Sequence, residues 1–201
     1  MDCRSPEALN REEAQRPAPG GPDGEACSFL RTEGDTAVFV YCLFCRTQRA
    51  QRIAVLLESC GVHRAFTPRV ICRHRVQGQL VDRPYDLLPG YVFLFTEKKI
   101  TDFSFLRRID GVGRLVGRRE DLYELAGADR TFAMQLYEAE GLVSPMPLVR
   151  EGGEARLLNP LFQNSHGVIT DIDYKKQRAR VEFTFDEERW ITWVAVDELR
   201  L

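Results

Sequence analysis

In the stretch Leu87-Leu88-Pro89-Gly90-Tyr91-Val92-Phe93-Leu94-Phe95, a proline–glycine turn leads straight into a strand. Side chains alternate across a strand, so Tyr91, Phe93 and Phe95 fall on one face and Val92 and Leu94 on the other. A segment apolar on both faces is either wholly buried or half-buried with its second face offered to a partner. The surrounding sequence favours the partner.

Upstream, Ala37 to Cys45 is a continuous apolar run rich in β-formers and reads as a buried strand. Thr47 can cap a helix from Gln48 to about Cys60 that buries Ile53, Leu56, Leu57 and Cys60, with Gly61 ending it. Arg64 to Val76 and Gln79 to Asp82 flank Gln77-Gly78 as a hairpin. Downstream, Thr101 can cap a short helix with Phe103, Leu106 and Ile109 inward, and Gly111 to Gly117 reads as another strand. A helix from about Ala128 to Glu140 presents Phe132, Ala133, Leu136 and Tyr137 before Gly141. The order β-α-β-β-β-α-β-α predicts an α+β fold, a sheet with helices packed on it.

Residues 1–35 are polar and acidic around Arg16-Pro17-Ala18-Pro19-Gly20-Gly21-Pro22, and are expected to be a disordered tail. The front domain is placed at 36–140. Gly141 to Pro147 holds two prolines and reads as a linker. From 148 to 201 the pattern is strands only, at Ala155–Leu158, Gly167–Ile172, Ala179–Phe185 and Trp190–Val196. Four or five short strands in that length suit a small closed barrel.

The net charge of −2 over 201 residues conceals segregation. Residues 37–119 carry 15 Lys/Arg against six Asp/Glu, whereas 1–36 and 120–145 are acidic. A basic stretch of domain size is either a solvated surface or a face for polyanions. Arg46, Arg64, Arg69, Arg73, His74 and Arg75 belong to it, with Arg69, Arg73 and Arg75 on one strand face and Cys72 and His74 on the other. In the last domain, Lys175, Lys176, Arg178 and Arg180 cluster at a turn and the strand after it, opposed by Asp171, Asp173, Glu187 and Glu188.

Catalysis is not expected: no phosphate loop, nucleophile elbow or His-Glu-x-x-His is present. No cofactor or metal is expected either. Cys42 and Cys45 are three apart in a strand, on opposite faces, and no second pair follows at ligand spacing. The six cysteines follow no disulfide framework, and no apolar run is long enough to span a bilayer. A cytoplasmic monomer without a membrane partner is the expectation.

Three ordered stretches resemble the NusG family of transcription elongation factors. Leu88-Pro89-Gly90-Tyr91-Val92-Phe93 resembles the family's signature strand, and Ile109-Asp110-Gly111-Val112-Gly113-Arg114-Leu115-Val116-Gly117 the strand that follows it. Arg150 to Gly153, with Gly167 to Asp173 and Lys175 to Val181, resembles a KOW element. The resemblance implies an N-terminal NGN domain, an α/β sandwich of antiparallel sheet and flanking helices, plus a C-terminal SH3-like KOW barrel. The opening strand, and the acidic helix followed by Glu140-Gly141-Leu142-Val143, resemble the specialised LoaP-type antiterminators.

By that resemblance Tyr91 and Phe93, rimmed by Leu88 and Pro89, would receive the clamp helices of RNA polymerase. Arg46, Arg69, Arg73 and Arg75 would face non-template DNA, and Lys175, Lys176, Arg178 and Arg180 a nascent RNA hairpin. Rho and a ribosomal protein are the partners implied for the housekeeping factor, and ribosome association is a rival implied by KOW domains elsewhere. Gly167 would serve the KOW turn, where chains approach too closely for a Cβ. One departure from the family pattern is Asn159-Pro160-Leu161-Phe162-Gln163-Asn164, where Asn159 is expected to replace a glycine by adopting positive φ. One paralogue refolds its barrel as a helical hairpin that masks the first domain. Val168, Ile169, Ile172, Val181 and Phe183 favour strand, so a stable barrel is predicted here.

Overall fold

A computed structural model describes residues 38–117, 123–151 and 154–198; the predicted tail, 1–35, lies outside them. Strand β1 (Phe39–Cys45) pairs antiparallel with β5 (Tyr91–Thr96) on one side and with β6 (Val112–Leu115) on the other. With β2 (Arg64–Phe66) on the far edge of β5, the front sheet runs β2-β5-β1-β6. Strand β5 is therefore central. Gly90 sets its entry: φ is +87°, and a Cβ there would stand 2.7 Å from the Cys45 carbonyl oxygen.

The even side chains of β5, Val92 and Leu94, face helix α1 (Thr47–Ser59), which buries Ala50, Ile53, Ala54 and Leu57. That helix starts one residue earlier than expected, and Thr47 does not cap it. Arg46 occupies the N-cap without a side-chain bond. Its amide is held by Gly111 O while its carbonyl accepts from Arg49 and Ala50, so the helix springs directly from the end of β1. The helix expected after Thr101 is a short 3-10 turn, Leu106–Arg108. Phe103, Leu106 and Ile109 are spaced by three, which matches that tighter helix rather than an α-helix.

The expected continuous strand Arg64–Val76 is broken at Thr67-Pro68 into β2 and β3 (Arg69–Val76), because proline cannot donate to a ladder. Strand β3 and β4 (Gln79–Asp86) form the predicted hairpin around Gln77-Gly78, with φ of +49° and +84°. Helix α2 (Gly127–Glu138) buries Phe132, Ala133 and Leu136. The linker expected at 141–147 is tied down at both ends. Leu142–Val143 forms β7, parallel to β3, and Met146 opens β8 (Met146–Glu151).

The C-terminal strands form one curved sheet in the order β10-β11-β12-β8-β9. They are β9 (Glu154–Leu157), β10 (Val168–Asp173), β11 (Arg178–Phe185) and β12 (Glu188–Glu198). The sheet is nearly closed; between its edges β9 and β10 lies a cleft of about 760 Å³. The predicted strand character holds, with one addition, helix α3 (Pro160–Asn164). Asn159 has φ −130° rather than the expected positive value, and its side chain caps α3 by accepting the Leu161 N–H. A side-chain cap does what a glycine turn would have done. Gly167 closes the far end of α3, where a Cβ would stand 2.6 Å from the Phe162 carbonyl oxygen.

Candidate polymerase and nucleic-acid interface

The odd side chains of β5 are covered by the chain itself. Tyr91, Phe93 and Phe95 are 0–1% exposed, which corrects the expectation of an open aromatic face. Phe95 lies under Tyr137 of α2 and against Phe66, at 4.6 and 5.3 Å between ring centroids. Tyr91 and Phe93 meet the C-terminal sheet. Tyr91 takes Phe185 and Trp190 edge-on at 5.6 and 5.5 Å, and Phe93 lies 5.3 Å from Phe185. Phe132 bridges the two layers, stacked on Phe183 at 5.6 Å. Burial raises the Tyr91 hydroxyl to about pKa 12, helped by the nearby carboxylates of Glu188 and Asp186. One apolar core thus runs from the front sheet into the barrel.

Polar contacts frame this seam. The β11–β12 hairpin turns on Asp186-Glu187, both at positive φ. This turn aims Asp186 at Arg114, 2.8 Å away, while the Asp186 amide donates to Asp129. At the other end Arg73 crosses from β3. Its guanidinium bonds Asp82 at 2.7 Å, Asp197 at 2.9 Å, Gln177 Oε1 at 2.8 Å and the Val196 carbonyl at 3.2 Å. The paired carboxylates push its pKa further up. Arg75 donates to the Lys175 carbonyl at 3.1 Å.

The predicted site residues therefore separate. Leu88 is buried beside Tyr91, and Pro89 is exposed as a rim residue would be. Arg46, Arg69, Arg75, Lys175 and Arg180 are exposed. Arg73, expected on an outward face, has 11% of its side chain exposed and is engaged by acceptors on every side. Arg178 is likewise turned in, its guanidinium 4.3 Å over the Trp193 ring and beside Asp173. Lys176 pairs with Asp173 at 3.4 Å. Both arginines were read from strand alternation, which gives the face but not what packs on that face.

Phe185, Trp190, Asp186 and Asp197 were missed as site residues. The readable signal is the apolar row Val181, Phe183, Phe185 on one face of β11, which ends at the Asp186-Glu187 turn. Cys42 and Cys45 do point into opposite clusters. Burial pushes the Cys42 thiol well up and Cys45 to about 12. Among the described residues no group of three His, Cys, Asp or Glu is placed to hold a metal ion, and no helix is long and apolar enough to cross a membrane.

Residues 40–131, from β1 into α2, match the family described as "Transcription termination factor nusG". That stretch, just under half of the chain, is similar to the NusG family's domain. Members of that family are non-enzymatic factors of transcription elongation and termination that bind RNA polymerase. The NusG-type domain holds both β5 and the basic hairpin. Among solved structures the chain is similar to one described as "Domain interaction in Thermotoga maritima NusG", at 19% identity and a TM-score of 0.48. The similarity covers 81% of this chain and 96% of that one. No curated protein matches the chain.

Proposed function

We propose that this chain is a transcription elongation factor that binds RNA polymerase through the Tyr91–Phe93 face and suppresses pausing and termination. The observation that carries the reading is the place of that face. It lies at the centre of the NusG-type domain, and beside Phe132 of α2 its cover is a second module of the same chain, through Phe185 and Trp190. The barrel stands where the clamp helices would dock, so engagement requires it to leave. Polymerase then competes with Phe185 and Trp190 for one aromatic surface, and binding selects the open arrangement. Leu88 and Pro89 become the rim. The specialised, antiterminating form of this role rests on the LoaP-like opening strand and acidic helix.

Co-elution of the full chain with bacterial RNA polymerase tests the proposal. Tyr91→Ala should abolish it, and Asp186→Arg, which repels Arg114 and loosens the cover, should strengthen it. Equal binding by all three proteins overturns the reading. Retention of Rho by the loosened chain would move it to the housekeeping role.

A further inference from the structure

The turn between β10 and β11, residues 174–177, sits astride β3. From one face of β3, Arg73 bonds Gln177 Oε1 at 2.8 Å and Arg75 bonds the Lys175 carbonyl at 3.1 Å. Cys72 and His74 lie on the other face. There the Cys72 sulfur is hydrogen-bonded to the Arg178 guanidinium. His74 thus stands between two residues that are tied to the barrel, beside a third that is also tied to it. Its half-buried ring packs on Tyr85 with centroids 5.2 Å apart. Its Nε2 is shielded from solvent and has no hydrogen-bond partner among the described residues.

The charges acting on that ring share one sign. Arg83 acts from β4, and Arg178 and Lys176 act from the barrel. The carboxylates that reach this end of the seam are already committed. Asp173 serves Lys176 and Arg178, while Asp82 and Asp197 serve Arg73. Toward the ends of the same strands, Asp86 stands opposite Arg69 and Glu198 pairs with Arg150. An imidazolium donates from both ring nitrogens, so a charged His74 would hold a shielded donor without an acceptor beside three other cations. The seam therefore fits the neutral ring. Burial first, then Arg178, Arg83 and Lys176, hold the His74 pKa below its ordinary value.

We propose that His74 is a proton-operated latch, whose protonation releases the barrel from the β3–β4 hairpin and so uncovers the β5 face. What the open face then binds rests on the polymerase reading; the latch does not. Two of the three cations leave with the barrel, whereas Arg83 stays on β4. In the open arrangement His74 can therefore ionise near the ordinary histidine value of about 6.5. Above that value both arrangements hold the ring neutral, and docking is at full strength. Below it the open arrangement takes up a proton that the docked one refuses. The ratio of open to docked chain then climbs by up to about tenfold per pH unit, until the docked form is protonated too.

The test needs no polymerase, so its failure is separate from failure of the polymerase reading. Acrylamide, an uncharged quencher, reports on Trp190, which packs on Tyr91 in the seam with its indole nitrogen shielded. Quenching of the full chain should rise as pH falls from about 7.5 to about 5.5, and reverse on return. His74→Gln is neutral throughout and should give a flat response, although His63 and His166 still titrate in it. His74→Lys is charged throughout and should be quenched as an open chain at every pH. Linkage is reciprocal, so opening the seam must also make His74 easier to protonate. Asp186→Arg loosens the seam at the end away from His74. Followed by NMR, the His74 ring should bind its proton about threefold more tightly in that variant than in the parent, or more. The proposal is overturned if the parent response is flat, if His74→Gln keeps it, or if His74 titrates at the same pH in parent and loosened chain.

Discussion

The ring of Tyr91, on the central strand of the front sheet, meets the ring of Phe185 edge-on with centroids 5.6 Å apart. Ninety-four residues of chain separate them, and the contact decides what each can do. A tyrosine under 2% exposed cannot receive another protein until its cover moves. Aromatic burial of this kind is worth roughly 25 cal/mol per Å², so the same surface that suits a partner holds the barrel in its absence.

Phe185→Ala removes the ring that touches Tyr91, Phe93 and Phe132 together. Truncating a buried phenylalanine costs about 3 kcal/mol. Urea denaturation should show that loss, while co-elution with polymerase should increase because the cover is weakened. Tyr91→Ala should lose stability and lose polymerase together. Parallel loss in both variants would mean that Phe185 belongs to the docking face itself.

Arg73 and Asp197 should behave unequally although they form one pair. Arg73→Ala discards a mostly buried guanidinium with four acceptors, but Asp82 and Asp197 can turn to water, so about 1–2 kcal/mol is expected. Asp197, 61% exposed, should cost less than about 1 kcal/mol as alanine. Equal costs by denaturation would place the contribution in the ion pair rather than in Arg73.

Alkaline pH should destabilise the fold. Cys42, Cys45, Cys72, Tyr41 and Tyr91 are all raised by burial above their ordinary values near 9 and 10. Below those values both states hold the protons and the stability is fully present. Above them the unfolded chain releases protons that the folded chain keeps, and stability falls as pH climbs toward about 12. Urea midpoints at pH 8 and pH 10 check the sign, which is wrong if the midpoint holds or rises.

Gly167→Ala places a methyl 2.6 Å from a backbone oxygen that has no free rotation to escape it. A loss of about 1–3 kcal/mol is expected, from overpacking rather than from backbone strain. Gly78→Ala meets nothing within 4 Å and should suffer mainly from its positive φ of +84°, about 1 kcal/mol. Thermal unfolding of the two variants separates the mechanisms, and equal shifts would refute the packing account.

Much of the fold was legible because it is local. Gln77-Gly78 specified its hairpin, the Phe132-Ala133-Leu136 spacing its helix face, and Pro89-Gly90 the entry to β5. Errors arose where a second partner arbitrates. Thr47 has the chemistry of a cap, but Gly111 had already fixed Arg46 there. Asn159 was read for a backbone role and serves instead through its side chain. Arg73 and Arg178 are expected on faces open to nucleic acid yet turn inward, because alternation says which way a side chain points, not what it meets.

By itself the sequence determined the elements, the order of the strands' apolar faces, and a strand at Tyr91–Phe95 too oily to face water, since periodicity and turn chemistry act over a few residues. Whether that strand faces a partner or its own chain was settled by tertiary structure. The energy that closes the barrel over Tyr91 is shared among Phe132, Phe185, Trp190, Arg73 and Arg114, scattered along the chain, and a sum over distant residues leaves no pattern in any one segment.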